Sequence, residues 1–217
     1  MFIFQHFLEW LFPTPSILKG IETMSSVQFR LRIPRPRAMH LPSLASSPYA
    51  TIAIANYRHP FVRQAIWELK YQGNVSVARL AASLVAEEIA SIAQHTSKDI
   101  VIIPLPNSKK RRRERGWNQT ELIAQYIPNF YPQVQICTNI LRKIRHTKPQ
   151  ATLKSHARLT NLTNSFSIHH KNERKISNNS LIVLLDDVTT TGTTFAEAIK
   201  PLAALGLTDI CCLAIAH

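Results

Sequence analysis

The chain of 217 residues carries 26 lysines and arginines against 13 aspartates and glutamates, a formal net charge of +13. With 45% apolar and only 18% charged residues, it has ample chain for a hydrophobic core, which excludes an intrinsically disordered protein. The basic excess points to polyanionic partners, a diphosphate or nucleic acid, while general solubility accounts for part of it equally well.

In chain order, residues 1–12 are strongly apolar (Phe2, Ile3, Phe4, Phe7, Leu8, Trp10, Leu11, Phe12) and suggest a short helix ending before Pro13. It packs on the domain or on a partner; both readings stay open. This stretch contains His6 and Glu9 and lacks a basic leader or cleavage site, so no signal peptide is expected. No apolar run reaches the length of a transmembrane helix, and the expectation is a soluble protein. Residues 13–48 hold six of the thirteen prolines among serines and arginines, which reads as a linker or irregular cap. A domain is expected from 49 to 217.

Tyr49–Tyr57 reads as a strand. His59-Pro60 then opens a helix with Val62, Ala65, Ile66 and Leu69 toward the core and Gly73 placed to end it. Val77, Leu80, Ala81, Leu84, Val85, Ile89 and Ile92 form the stripe of a second helix. Asp99–Leu105 is expected as a buried strand, followed by a basic loop from Lys109 to Gly116 and a helix carrying Leu122, Ile123, Tyr126 and Ile127. Ile136–Leu141 and Phe166–Ile168 are strand candidates, 145–165 a loop with a short helix, and 171–180 a polar turn. Strands alternating with helices predict an α/β fold with a mainly parallel sheet flanked by helices.

The most informative stretch is Leu181 to Thr194. Its apolar run, Leu181–Leu185, has no polar alternation, as expected of a strand covered on both faces. Asp186 and Asp187 follow, pointing to opposite sides. Next come Val188, a hydroxyl-rich turn containing Gly192, and a helix bearing Phe195, Ala198, Ile199, Leu202 and Leu205. Backbone N–H groups, the hydroxyls of Thr190, Thr191, Thr193 and Thr194, and the positive helix end would converge on one point, an anion site. Two carboxylates beside it can accept hydrogen bonds from neighbouring ribose hydroxyls, so a sugar phosphate is favoured. Lys200-Pro201 breaks a local rule, and a kink or early break is expected there. Cys137, Cys211 and Cys212 show no metal-ligand spacing. The latter two read as core residues of a last strand, Ile210 to Ala216, and a reducing cytoplasm is expected.

Leu184-Leu185-Asp186-Asp187-Val188 with Thr190-Thr191-Gly192-Thr193-Thr194 resembles the phosphoribosyl pyrophosphate (PRPP) motif of type I phosphoribosyltransferases. Three further stretches resemble, in order, blocks of the ComF family over about residues 49–216. They are Leu69-Lys70-Tyr71-Gln72-Gly73; Ile103-Pro104-Leu105-Pro106 with Arg113-Glu114-Arg115-Gly116-Trp117-Asn118-Gln119; and Gln150, Arg158 and Asn161 before Phe166. The resemblance implies a type I phosphoribosyltransferase fold in a bacterial cytoplasmic protein linked to natural competence and DNA uptake. It implies PRPP bound with Mg²⁺, with Asp186 and Asp187 as the catalytic pair on the ribose hydroxyls. Val188, Thr189, Thr190, Thr191, Gly192, Thr193 and Thr194 would bind PRPP, with the 5′-phosphate on Thr190–Thr194. Lys109, Arg112, Arg113, Arg115 and Gly116 would face the diphosphate, where arginine supplies a bidentate grip. Taken alone, the same basic run reads equally as a solvated loop or a nucleic-acid patch. Lys70, Arg158 and Asn161 are further candidates. No stretch identifies an acceptor, so transfer stands beside two alternatives: a non-catalytic PRPP- or single-stranded-DNA-binding protein, and a structural partner of competence proteins. Many family members carry an N-terminal zinc module of paired Cys-x-x-Cys motifs. The segment from Phe12 to Leu41 has no cysteine, and no zinc is expected.

Overall fold

The computed structural model describes residues 20–33, 36, 41–45, 47–144, 165–169 and 176–217. The apolar segment 1–12, most of 145–165, and Gln150, Arg158 and Asn161 lie outside the described residues. With elements numbered in chain order, β1 (Ala50–Ala55), β2 (Ile100–Pro104), β3 (Gln135–Ile136), β6 (Leu181–Val188) and β7 (Ile210–Ala216) form one parallel sheet. Its order is β1-β7-β6-β2-β3. A separate antiparallel ribbon pairs β4 (Leu141–Lys143) with β5 (Phe166–Ile168).

Alternate residues of the central strands point to opposite faces, and each face has its own cover. On one, Ile102, Val183, Leu185 and Leu213 pack against α2 (Pro60–Trp67), α3 (Val75–Ala93) and α5 (Gln119–Ala124). On the other, Ile103, Ile182, Leu184 and Cys212 meet Phe195, Ile199 and Leu202 of α6 (Thr193–Ala203), together with Phe166 and Ile168 of the ribbon. Burying an aliphatic side chain of this size contributes about 1.5–3 kcal/mol, so the unbroken apolar runs of β2 and β6 require both layers. The α/β, mainly parallel architecture is the one expected. Burial pushes the Cys211 and Cys212 thiols up, in keeping with core positions.

Four local expectations are corrected. Of the two readings of the segment before residue 49, linker or irregular cap, its described residues favour the cap, and they include a regular helix. Ser25 and Gln28 form a reciprocal capping box for α1 (Ser26–Arg32), and Ile21, Met24, Phe29 and Ile33 enter the core. Arg30 ties this helix to Glu87 at 3.2 Å, to Glu88, and to the Ile54 carbonyl at 3.3 Å. The basic run is a helix, α4 (Lys109–Arg115), rather than a loop. Ser108 caps its start, accepting from the Arg111 amide at 3.3 Å, and Gly116 ends it in the left-handed region at φ 84°. Arginine and lysine are good helix formers, and Arg112, Arg113 and Arg115 sit in the last turn where the dipole favours cations. The strand expected at Ile136–Leu141 divides at Thr138-Asn139 into β3, in the sheet, and β4, in the ribbon. Lastly, α6 passes Pro201 and stops at Ala203, leaving Leu205 beyond its end. Gly206 (φ 81°) then turns the chain.

Candidate functional site

The carboxyl ends of β2 and β6, neighbours in the sheet, bring the site together. Asp186 and Asp187 stand just before Val188 at the end of β6, and their side chains lie on opposite faces because strand residues alternate. Asp187 is buried, 5% exposed, and held by three donors. Its Oδ2 receives Lys70 Nζ at 3.0 Å and Gln119 Nε2 at 2.9 Å, and its Oδ1 receives the Val188 amide at 2.7 Å. Burial raises its carboxyl, but the Lys70 ammonium and these hydrogen bonds more than reverse that, holding it below the ordinary carboxylate range. Asp186 is only partly buried, and one oxygen accepts the Asp187 amide at 2.8 Å. Burial and the adjacent Asp187 charge push its carboxyl up to about 7. The pair is thus split, Asp187 held toward its ionised form and Asp186 pushed toward its protonated one.

Lys70 reaches Asp187 through a local irregularity. After α2 the chain widens into a π-helical turn, Glu68–Gln72, which Gly73 closes at φ 60°, its amide bonding the Glu68 carbonyl. Such turns put an extra residue into a helix and are frequent at functional sites. Trp117 locks the turn from outside. Its Nε1 donates to the Leu69 carbonyl at 2.8 Å, and its ring lies where a Cβ on Gly73 would be, at 3.1 Å. Arg115 stacks over Tyr71 at 5.0 Å and approaches Gln119 Oε1 at 3.5 Å; Asn107 donates to the same oxygen at 2.7 Å. Asn118 and Thr120 both donate to the Leu105 carbonyl, at 3.1 and 2.7 Å, fixing the start of α5 beside the end of β2.

The hydroxyl-rich turn divides differently from the expectation that four threonines face one point. Thr189 is buried and tied into the sheet, its amide bonding the Ala216 carbonyl at 2.9 Å. Thr193 is buried, with its hydroxyl 2.8 Å from Ser43 Oγ and 2.7 Å from Thr191 Oγ1. Thr190 is exposed, and Thr191 and Thr194 are partly so. Gly192 takes φ 77°, and a Cβ there would come within 3.1 Å of Leu41 and Leu44. Those two leucines and Ser43, whose amide donates to the Thr191 carbonyl at 3.1 Å, clamp the turn from the segment before β1. The first-turn amides of α6 have no intrahelical acceptors, as at every helix start, and that of Thr193 lies 3.5 Å from Thr191 Oγ1.

Among the remaining candidates, Lys109, Arg112 and Arg113 are exposed on α4, and Gly116 serves to end that helix. Arg112 pairs with Glu121 at 3.3 Å. Lys143 on the ribbon was missed by sequence reading. It lies over the Phe166 ring at 5.1 Å, and burial pushes its ammonium below the ordinary lysine range against the pull of Asp186. Gln119, Ser43, Leu41 and Leu44 were also missed as site residues. Only Gln119 had a signal, its place at the end of the Arg115-Gly116-Trp117-Asn118 stretch.

No protein-family model matches the chain. Among curated proteins it is similar to competence protein F of Haemophilus influenzae, 32% identical over 162 residues, covering 73% of this chain and 69% of that protein. It is also similar to the DNA utilization protein YhgH of Escherichia coli K12, 26% identical over 67% of this chain and 62% of that one. Competence protein ComFC of Bacillus subtilis is 25% identical over 67% of this chain and 55% of its own length. At the identity and coverage shared with the Haemophilus protein, the chain belongs to the ComF family.

Proposed function

We propose that the chain is a PRPP-binding protein of the type I phosphoribosyltransferase fold that transfers the phosphoribosyl group to an acceptor, in a process linked to competence and DNA uptake. One observation carries the reading. Asp186 and Asp187 end a doubly covered strand and lead directly into a clamped hydroxyl turn and a helix start, so hydroxyl acceptors and an anion cradle lie a few residues apart.

In this reading the 5′-phosphate rests on the amides and exposed hydroxyls around Thr190, Thr191 and Thr194. The ribose hydroxyls donate to the carboxylates. Asp186 fits Mg²⁺ because it is partly exposed and carries a carboxyl whose ionisation burial and the neighbouring charge oppose; a hard cation offsets that opposition. Mg²⁺ supplies charge neutralisation of the diphosphate when bound. Lys70 holds Asp187 ionised and oriented, and Gln119 links that carboxylate to Arg115. Positive charge developing on the sugar as the diphosphate leaves is then stabilised by fixed carboxylates, and catalysis rests on positioning and electrostatics.

Calorimetric titration of PRPP in MgCl₂, followed by assay of released diphosphate, tests this reading. Binding that falls at least tenfold in Asp186→Asn supports it, and no binding at millimolar PRPP removes it. A second reading, a non-transferring PRPP- or DNA-binding competence factor, is favoured by the exposed cations Lys109, Lys110, Arg112 and Arg113 on α4 and by the names of the relatives. A steep negative dependence of single-stranded DNA affinity on salt supports it; no binding at low salt rejects it.

A further inference from the structure

A cavity of about 550 Å³ opens between α4 and the β4–β5 ribbon. Its walls divide by chemistry. Lys109, Arg112, Arg142 and Lys143 supply cations, whereas Pro106, Leu141 and Ile144 supply an apolar side. Ile144 is 51% exposed, an aliphatic side chain held open beside the charges. Among the described residues the single acid in the lining is Glu121, whose carboxylate is taken by Arg112 at 3.3 Å. His169, also in the lining, has Nδ1 buried with no partner among the described residues.

We propose that this cavity is a second anion site that takes a phosphate monoester carried on a ring system, that is, a nucleotide or the 5′-phosphorylated end of a strand. The size lies in the range of small-molecule sites and exceeds what one inorganic phosphate needs. The excess of cations over that one acid calls for a multiply charged group, and the apolar wall calls for a flat hydrophobic body attached to it. The cavity is set apart from the carboxylate pair by the two faces of α4. Arg115 turns to Tyr71 and Gln119, on the Asp187 side, while Lys109 and Arg112 turn to the cavity. Lys143 stands between the two sites, lining the cavity and lying within the electrostatic reach of Asp186. A ligand seated here would be held beside any group bound at Asp186, as a second reactant must be.

The test is titration of the full chain with AMP, alone and with saturating PRPP and MgCl₂, and again in Arg142→Ala. AMP that binds alone and still binds beside PRPP, with affinity about tenfold weaker in Arg142→Ala and PRPP affinity unchanged there, supports the proposal. AMP displaced one for one by PRPP overturns it, since the cavity would then be the diphosphate end of the first site. Absence of AMP binding at millimolar concentration also overturns it. AMP binding in a protein that ignores PRPP leaves the second site standing and removes the PRPP reading instead. Oligothymidylates with and without a 5′-phosphate separate the sources. Tighter binding of the phosphorylated strand than of AMP assigns a strand end, and tighter binding of AMP assigns a free nucleotide. Equal binding of both strands overturns monoester recognition.

Discussion

The Lys70–Asp187 pair offers a quantitative check on the site. Replacing Lys70 with Met keeps the stem and removes the charge, leaving a buried carboxylate with two hydrogen bonds, from Gln119 and the Val188 amide. At 3.0 Å the direct attraction is about 5 kcal/mol for an effective dielectric of ~20. Lys70 is 23% exposed, so solvent screens part of that and the ammonium gives up hydration to make the contact. A net loss of about 2–4 kcal/mol at pH 7 follows, at or below the usual cost of stripping one partner from a buried pair. Asp187→Asn removes the same pairing, and in the double variant neither charge remains to be left alone. Urea denaturation of the four proteins should therefore give a coupling energy of about 2 kcal/mol. The pH dependence carries a sign. Asp187 is depressed in the wild type, so its contribution is present above its ordinary value of 3.8 and disappears as pH falls through the depressed value. Without Lys70 burial raises that carboxyl, so the gap between wild type and Lys70→Met should narrow as the pH is lowered. Additive single effects, or a gap that widens in acid, would refute the pairing as described.

Three further outcomes follow from the same geometry. Gly73→Ala should lower stability by about 1–2 kcal/mol from left-handed strain alone and more from the Trp117 ring at 3.1 Å. Gly116→Ala, where nothing lies within 4 Å, should show only the strain; equal losses in thermal denaturation would remove Trp117 as a lock. Ser43→Ala should cost about 1 kcal/mol and weaken PRPP several-fold with far-ultraviolet circular dichroism unchanged, and full PRPP affinity would free the turn from its clamp. Affinity for PRPP with Mg²⁺ should rise with pH up to about 7, where Asp186 ionises, and level off above. Because the phosphates titrate too, the part due to Asp186 is the slope lost in Asp186→Asn, and an unchanged slope would rule that group out.

What could be read from the residues was what depends on burial period and local turn chemistry. β2, β6 and β7 declared themselves as unbroken apolar runs because both sheet faces are covered, and α3 as a stripe because only one of its faces is. Gly73 was legible as a helix stop, but the π-helical turn before it was not, since widening by one residue changes no composition. The capping box at Ser25 and Gln28 was readable and was hidden by the surrounding prolines and arginines. The basic run was mistaken for a loop because charge dominated over the helix propensity of the same residues and the Ser108 and Gly116 caps. Within the site, adjacency along the chain revealed Asp186, Asp187 and the threonine turn. It could not reveal Ser43 on Thr193 or Lys143 near Asp186, because those pairings are made by tertiary packing alone.

The two family-like stretches around Lys70 and Arg115–Gln119 acquire a common physical purpose from this packing. Neither could hold its charge in place alone. Lys70 sits on a turn that needs Trp117 to fill the space over Gly73 and to bond the Leu69 carbonyl. Gln119, in turn, can offer its amide N–H to Asp187 because its oxygen is already occupied by Asn107 and approached by Arg115. An amide so oriented cannot flip without facing a donor with a donor. The buried carboxylate therefore meets two donors whose directions are set from outside the site, one by an aromatic ring and one by a hydrogen-bond relay. That arrangement fixes Asp187 as an ionised acceptor and leaves Asp186, with fewer ties, as the member free to respond to a cation or a ligand hydroxyl.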